Sequence, residues 1–100
     1  MYTDIIHYDL APHITTANFL VLLKKVKEDW MLHQEGFISW SQHNNSQGHF
    51  TDIVHWKSKT AAKKAETQME KNPHHKAWVA CYQNIRAESL ESLETDPTAE

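Results

Sequence analysis

Two stretches of alternating side chains, residues 37–43 (FISWSQH) and 49–56 (HFTDIVHW), flank a connector of turn-forming residues, 44–48 (NNSQG). A period of two is the signature of a strand, and Asn, Ser and Gly supply turn conformations. Together they predict an antiparallel hairpin. The first run sets Ile38 and Trp40 on one side against Phe37, Ser39, Ser41 and His43 on the other. The second sets Phe50, Asp52, Val54 and Trp56 against His49, Thr51, Ile53 and His55. Large residues therefore stand on both faces, and a sheet of this kind needs cover on both sides.

The flanking segments say what supplies one cover. Residues 2–9 are β-branched and aromatic between Asp4 and Asp9, and predict a first strand. Thr15 or Thr16 then caps a helix over 17–34, in which Phe19, Leu22, Leu23, Val26 and Trp30 recur at helical spacing. Gly36 closes that region. Ser58 is a candidate cap for a second helix with Ala61, Ala62, Ala65 and Met69 on its apolar side. The run KNPHH breaks it, with Asn72 as cap and Pro73 as first residue of a further helical segment carrying Trp78, Val79 and Tyr82. Residues 84–94 read either as strand or as helix. A strand over 84–91 is preferred, because it completes the sheet.

The order is β-α-β-β-α-β, an α+β ferredoxin-like arrangement with a four-stranded antiparallel sheet under helices on one face. The other face is bare, and a second copy packed sheet to sheet is the simplest cover. No repeat or linker divides the chain, so residues 1–92 form one domain and 93–100 a polar tail.

Several function classes are excluded at this level. The formal charge is −3, which argues against a nucleic-acid or anionic-membrane partner. No apolar run is long enough to span a bilayer, and the first ten residues lack the basic start of a secretory leader. Cys81 is alone, which removes a disulfide framework and a thiolate metal site, and the expectation is a cytoplasmic protein. Nucleotide-binding loops and hydrolase signatures are lacking.

What remains is an unusual content of 8 His and 4 Trp. A shared metal at the hairpin histidines fails on distance: His49 and His55, on one face, lie roughly 20 Å apart at ~3.3 Å per residue, while ligand nitrogens sit ~2 Å from zinc. No metal is expected.

The segment 36–78 resembles the dimeric α+β-barrel proteins of the antibiotic-biosynthesis-monooxygenase type. The resemblance rests on Gly36-Phe37 opening the second strand, Trp56-Lys57-Ser58 ending the third, the alanine-bearing helix at Ala61-Ala62, and the break Pro73-His74-His75-Lys76-Ala77. It implies a homodimer with a pocket between sheet and helices in each subunit. It also implies a cofactor-independent oxygenase acting on an aromatic, quinol-type small molecule, or a non-catalytic ligand-binding relative. A related branch degrades haem with an Asn, a Trp and a ligating His. Here His75 falls at the ligand position, but strand one reads Ile5-Ile6-His7-Tyr8 and Ala65 stands near the place of the Trp. The expected cofactor is none, with haem on His75 the alternative.

A cofactor-free oxygenase needs an aromatic-walled cavity and a base to ionise its substrate, and an imidazole with an ordinary pKa of ~6.5 suits that task. The candidate bases are His7, His55 and His75, and the candidate walls are Trp40, Trp56 and Trp78. His55 and Trp56 are neighbours on a strand, so only one of them can face the pocket. His55 is the favoured one.

Overall fold

The computed structural model describes residues 1–93; residues 94–100, most of the expected polar tail, lie outside them. Four strands, β1 (Tyr2–Leu10), β2 (Phe37–Asn44), β3 (Phe50–Trp56) and β4 (Tyr82–Glu91), form one antiparallel sheet in the order β2-β3-β1-β4. Three helices, α1 (Thr16–Asp29), α2 (Lys59–Thr67) and α3 (His75–Val79), cover one face, with 3-10 turns at Met31–His33 and Met69–Lys71. This is the expected α+β ferredoxin-like arrangement.

Local chemistry sets the helix starts. Thr15 accepts the Asn18 N–H at 3.1 Å, and Ser58 accepts the Ala61 N–H at 3.1 Å, each filling a donor that the first turn leaves open. Asn72 does not cap α3 as expected. Its side chain does accept the His74 N–H at 3.0 Å, as a capping asparagine would, but His74 is the N-cap residue and α3 begins at His75, two residues beyond Pro73. Tyr82 leaves that helix altogether and opens β4, two residues before the expected strand start.

Two irregularities decide which side chains meet. The β2–β3 register slips between Phe37 and Ser39, and a strand with an extra residue turns the following side chains over. Phe37 and Trp40, expected on opposite faces, therefore both lie on the helix side: Phe37 packs edge-on against Trp56 at 5.7 Å, and Trp40 is buried. A second slip between His7 and Asp9 accompanies Asn84 at φ 53°, a left-handed conformation that asparagine tolerates, and Asn84 Nδ2 donates to Asp9 at 3.0 Å.

The core lies between sheet and helices. Phe19, Leu23, Val26 and Trp30 from α1 and its end meet Tyr2, Tyr8, Phe50, Val54 and Trp56 from the central strands, with Trp78 and Cys81 closing one side. Tyr8, Phe19, Phe50 and Tyr82 form an edge-and-stack aromatic cluster with centroids 4.6 to 6.0 Å apart. Among the described residues nothing covers the opposite sheet face. Among the described residues no helix is long and apolar enough to cross a membrane.

Candidate functional site

The helices cover β3 and β1 closely but stop short of β4, whose residues from Gln83 onward are exposed. Between sheet and helices this leaves a cavity of about 410 Å³, opening along β4. That is within the range of small-molecule sites, and its walls are mostly apolar. The sheet supplies the floor: Asp4 and Ile6 from β1, Val54 and Trp56 from β3, Ala87 and Ser89 from β4. Ala62, Lys63, Ala65 and Glu66 of α2 form the roof, and Trp30, Met31, Met69 and Trp78 close the sides.

Three tryptophans thus wall one space. Trp30 and Trp78 have ring centroids 6.1 Å apart, in the range of a favourable tilted pair. The Trp78 indole N–H donates to the Tyr82 hydroxyl. The Trp56 N–H is different: it is buried and has no acceptor among the described residues. A buried donor left unpaired costs about 1–3 kcal/mol, and a ligand oxygen would recover it.

The polar groups gather toward the mouth. The Ser89 hydroxyl donates to one Asp4 carboxylate oxygen at 2.7 Å, across the β1–β4 pairing that sets the two residues opposite one another. On the roof, the Lys63 ammonium lies 3.4 Å from Glu66. That hydrogen bond and the Glu66 charge, with smaller contributions from Tyr2 and then Asp4, raise the pKa of Lys63. Two carboxylates, one ammonium and the Ser89 hydroxyl therefore line a pocket that is otherwise apolar.

A second polar group lies deeper. Asp52, fully buried, accepts the Tyr8 hydroxyl at 2.6 Å and the Trp40 indole N–H at 2.9 Å. Burial outweighs these bonds and raises the pKa of its carboxyl. Burial, with the Asp52 charge added, pushes both the Tyr8 and the Tyr82 hydroxyls far above the ordinary phenol value, so neither ionises near neutrality. Trp40 stands behind the cavity wall, 5.9 Å from Trp78 centroid to centroid.

Against the sequence-based candidates, Trp56 and Trp78 line the cavity and Trp40 does not. The orientation favoured for His55 is reversed. Its partner residue Trp56 takes the cavity side, and His55 lies on the uncovered sheet face, hydrogen-bonded to Thr3 at 2.9 Å. His7 shares that face and bonds Thr51 at 2.9 Å. Both follow from parity: the odd-numbered positions of β1 and β3 face away from the helices while Tyr8, Asp52, Val54 and Trp56 face them. His75 begins α3 with its Nδ1 buried and without a partner among the described residues, but it does not line the cavity either. Haem needs an axial ligand at its pocket, and no imidazole stands in this one. The residues do not fit haem here. Among the described residues no three His, Cys, Asp or Glu side chains group as a metal site.

Asp4, Ser89, Lys63, Glu66 and Trp30 are the site residues that the sequence reading missed. Asp4 was legible, since its even number puts it in phase with Tyr2 and Tyr8. Trp30 was also in phase, four positions after Val26 on the apolar stripe.

No family model matches the chain, and no curated protein does. Solved structures do. SnoaB, a cofactor-independent oxygenase from Streptomyces nogalater, is similar over 96% of each chain at 18% identity, with a TM-score of 0.75. A putative antibiotic biosynthesis monooxygenase from Nitrosomonas europaea is similar over 94% of this chain and 100% of its own, at 13% identity and a TM-score of 0.68. A putative antibiotic biosynthesis monooxygenase from Bordetella bronchiseptica is similar over 93% and 98%, at 11% identity and a TM-score of 0.72. At these identities the likeness is one of fold. The chain carries, over nearly its whole described length, the α+β fold of the antibiotic biosynthesis monooxygenases.

Proposed function

We propose that the protein is a small oxygenase that takes an aromatic, hydroxyl-bearing molecule of the quinol type into the cavity between sheet and helices and oxidises it with O2. The observation that carries this reading is the buried Trp56 N–H without an acceptor, in the wall of a mostly apolar cavity that Trp30 and Trp78 also line. Flat tryptophan walls suit a fused-ring ligand, and the free donor suits its carbonyl or ionised hydroxyl oxygen. The fold shared with SnoaB, described as a cofactor-independent oxygenase, supports the same reading.

In that chemistry the substrate is its own reductant. Loss of the hydroxyl proton gives an aryloxide, which passes one electron to O2. The resulting radical and superoxide join in a C–O bond at a ring carbon that still bears hydrogen. Protonation of the peroxide, loss of that hydrogen as a proton and cleavage of the O–O bond leave a quinone carbonyl and water. The sum is hydroxyarene plus O2 to quinone plus H2O, with all four electrons drawn from the ring. The protein's part is to hold the ring between indoles, exclude bulk water, and stabilise the anion with the Trp56 N–H and the Lys63 ammonium.

The second reading is a non-catalytic binder of the same ligand class, favoured by the lack of any imidazole in the cavity wall. One experiment separates them. Purified protein with anthrone should consume O2 and release anthraquinone above the rate of anthrone alone. Thermal stabilisation by anthrone without O2 uptake supports the binder and overturns the oxygenase.

The proposal includes a homodimer. The sheet face turned away from the helices carries Ile5, Ile53 and Leu90, and a second copy packed sheet to sheet would cover them. His7 and His55 already have hydroxyl partners there, which lowers the cost of burying them.

A further inference from the structure

The cavity floor has one charged residue that the tryptophan walls do not explain. Asp4 lies between two central features. On one side β4 presents Ser89, whose hydroxyl donates to one Asp4 oxygen at 2.7 Å. On the other, β3 pairs Asp4 with Val54, so Trp56, paired with Tyr2, is its diagonal neighbour on the same face. Diagonal neighbours of this kind lie about 7–8 Å apart. Asp4 is half-buried in the cavity wall, and among the described residues its second carboxylate oxygen accepts no side-chain hydrogen bond.

A carboxylate in an apolar wall is costly unless something donates to it. Ser89 satisfies one oxygen and fixes the rotamer. Lys63 adds a cation nearby, and the Asp4 charge in turn contributes to the raised pKa of that lysine. The open Asp4 oxygen is an acceptor, while the Trp56 N–H is donor-only. The floor therefore offers an acceptor and a donor side by side.

We propose that Asp4, oriented by Ser89, is the residue by which the cavity selects ligands bearing a free hydroxyl, while Trp56 takes an oxygen acceptor on the same ring system. This rests on the ligand reading above and narrows it: a fused-ring aromatic with both a hydroxyl and a carbonyl binds, and the same ring with its hydroxyl methylated does not bind well. A site built to accept a hydrogen bond disfavours the analogue lacking the donor, because its own half-buried acceptor then loses water without gaining a donor.

The test uses a pair of unreactive probes, 2-hydroxyanthraquinone and 2-methoxyanthraquinone, titrated against the protein's tryptophan fluorescence below the pKa of the probe hydroxyl. The hydroxyl form should bind at least about tenfold more tightly, the size expected for a hydrogen bond to a charged group. Asp4→Leu should bring the ratio near one without weakening the methoxy probe. Asp4→Asn, which keeps an acceptor, should retain part of the preference, and Ser89→Ala should lower it. Equal affinity for the two probes in the unaltered protein, or an unchanged ratio in Asp4→Leu, overturns the inference while leaving the cavity as a ligand site. Binding of neither probe overturns the ligand reading and this inference together.

Discussion

The Tyr8 hydroxyl donates to the Asp52 carboxylate at 2.6 Å, from the central strand to its neighbour, in a fully buried position. The Trp40 indole occupies the other carboxylate oxygen at 2.9 Å. Three side chains from β1, β2 and β3 are thereby tied by one charge. The arrangement fixes Trp40 behind Trp78, and so fixes one wall of the cavity from the rear.

Removing the charge should change how stability depends on pH. Burial raises the folded-state pKa of Asp52 above its unfolded value. The folded protein then keeps this proton over a range in which the unfolded chain, at an ordinary ~3.9, has released it. Its contribution is full below the ordinary value and is lost as pH rises through the raised one. Asp9 acts in the opposite sense, since its hydrogen bond from His49 lowers its pKa and its contribution is lost as pH falls. The difference between the unaltered protein and Asp52→Asn isolates Asp52. Urea midpoints measured from acid to neutral pH should show the unaltered protein losing stability relative to the variant as pH rises. A parallel pair of curves would show that Asp52 titrates normally.

Tyr8→Phe tests the same bond without touching the charge. It deletes a donor to a buried carboxylate and should cost about 1.5–3 kcal/mol in urea unfolding. The aromatic cluster around Phe19, Phe50 and Tyr82 keeps its ring, so near-ultraviolet circular dichroism should be preserved. A loss below about 0.5 kcal/mol would mean that the hydrogen bond has little net value beside the packing.

Gly36 should tolerate no side chain. Its φ is +82°, and a Cβ there would meet the Ala61 Cβ at 2.5 Å, in the first turn of α2. The Gly36 carbonyl also accepts the Lys57 N–H at 2.8 Å, holding the start of β2 against the end of β3. Gly36→Ala is expected to cost on the order of 1–3 kcal/mol from backbone strain, with the collision in addition. Adding Ala61→Gly relieves the collision alone, so the double variant should be less destabilised than the sum of the two single ones. Strict additivity would show that the contact is not felt.

These cases mark what the sequence could and could not reveal. Thr15 and Ser58 were legible as caps because a cap is a local bargain between one side chain and one turn. The order of elements was legible for the same reason, from spacing within each segment. The face of Trp40 relative to Phe37 was not, since one slip in register inverts the alternation and nothing in FISW announces it. Nor was the side taken by His55. Parity separates it from Trp56, but the choice depends on which face the helices bury, a property of contacts made across the whole chain. Favouring the polar residue for the pocket overlooked that Phe50, Val54 and Trp56 share one parity with Tyr2 and Tyr8, and those are the residues that helices cover.

Trp56→Phe should separate the ring of Trp56 from its N–H. Phenylalanine keeps an aromatic wall and the contact with Phe37, while deleting a buried donor that has no acceptor. Stability should be unchanged or slightly higher, because removing an unpaired polar group offsets the lost area. Affinity for 2-hydroxyanthraquinone should fall by about three- to tenfold, the worth of a neutral hydrogen bond. If the variant is markedly destabilised and binds as before, the N–H has a role in the protein rather than toward a ligand.

The uncovered sheet face gives the last prediction. Four strands spaced ~4.8 Å, each about eight residues long at ~3.3 Å, present roughly 500 Å² before side-chain relief, within reach of the ~800 Å² per partner that stable interfaces bury. Its centre holds Ile5 and Ile53, half-buried on the two inner strands, and its edge holds Leu90, 55% exposed. Two copies related by a two-fold axis would place this apolar centre against itself. Light scattering should then give twice the chain mass for the unaltered protein. Ile53→Glu should halve it, because a carboxylate at the middle of such an interface loses its water without gaining a partner. Leu20→Glu, on the exposed side of α1 at 46% exposure, should leave the mass unchanged. A single-chain mass for the unaltered protein would overturn the dimer, and equal effects of the two substitutions would place the apolar contact elsewhere.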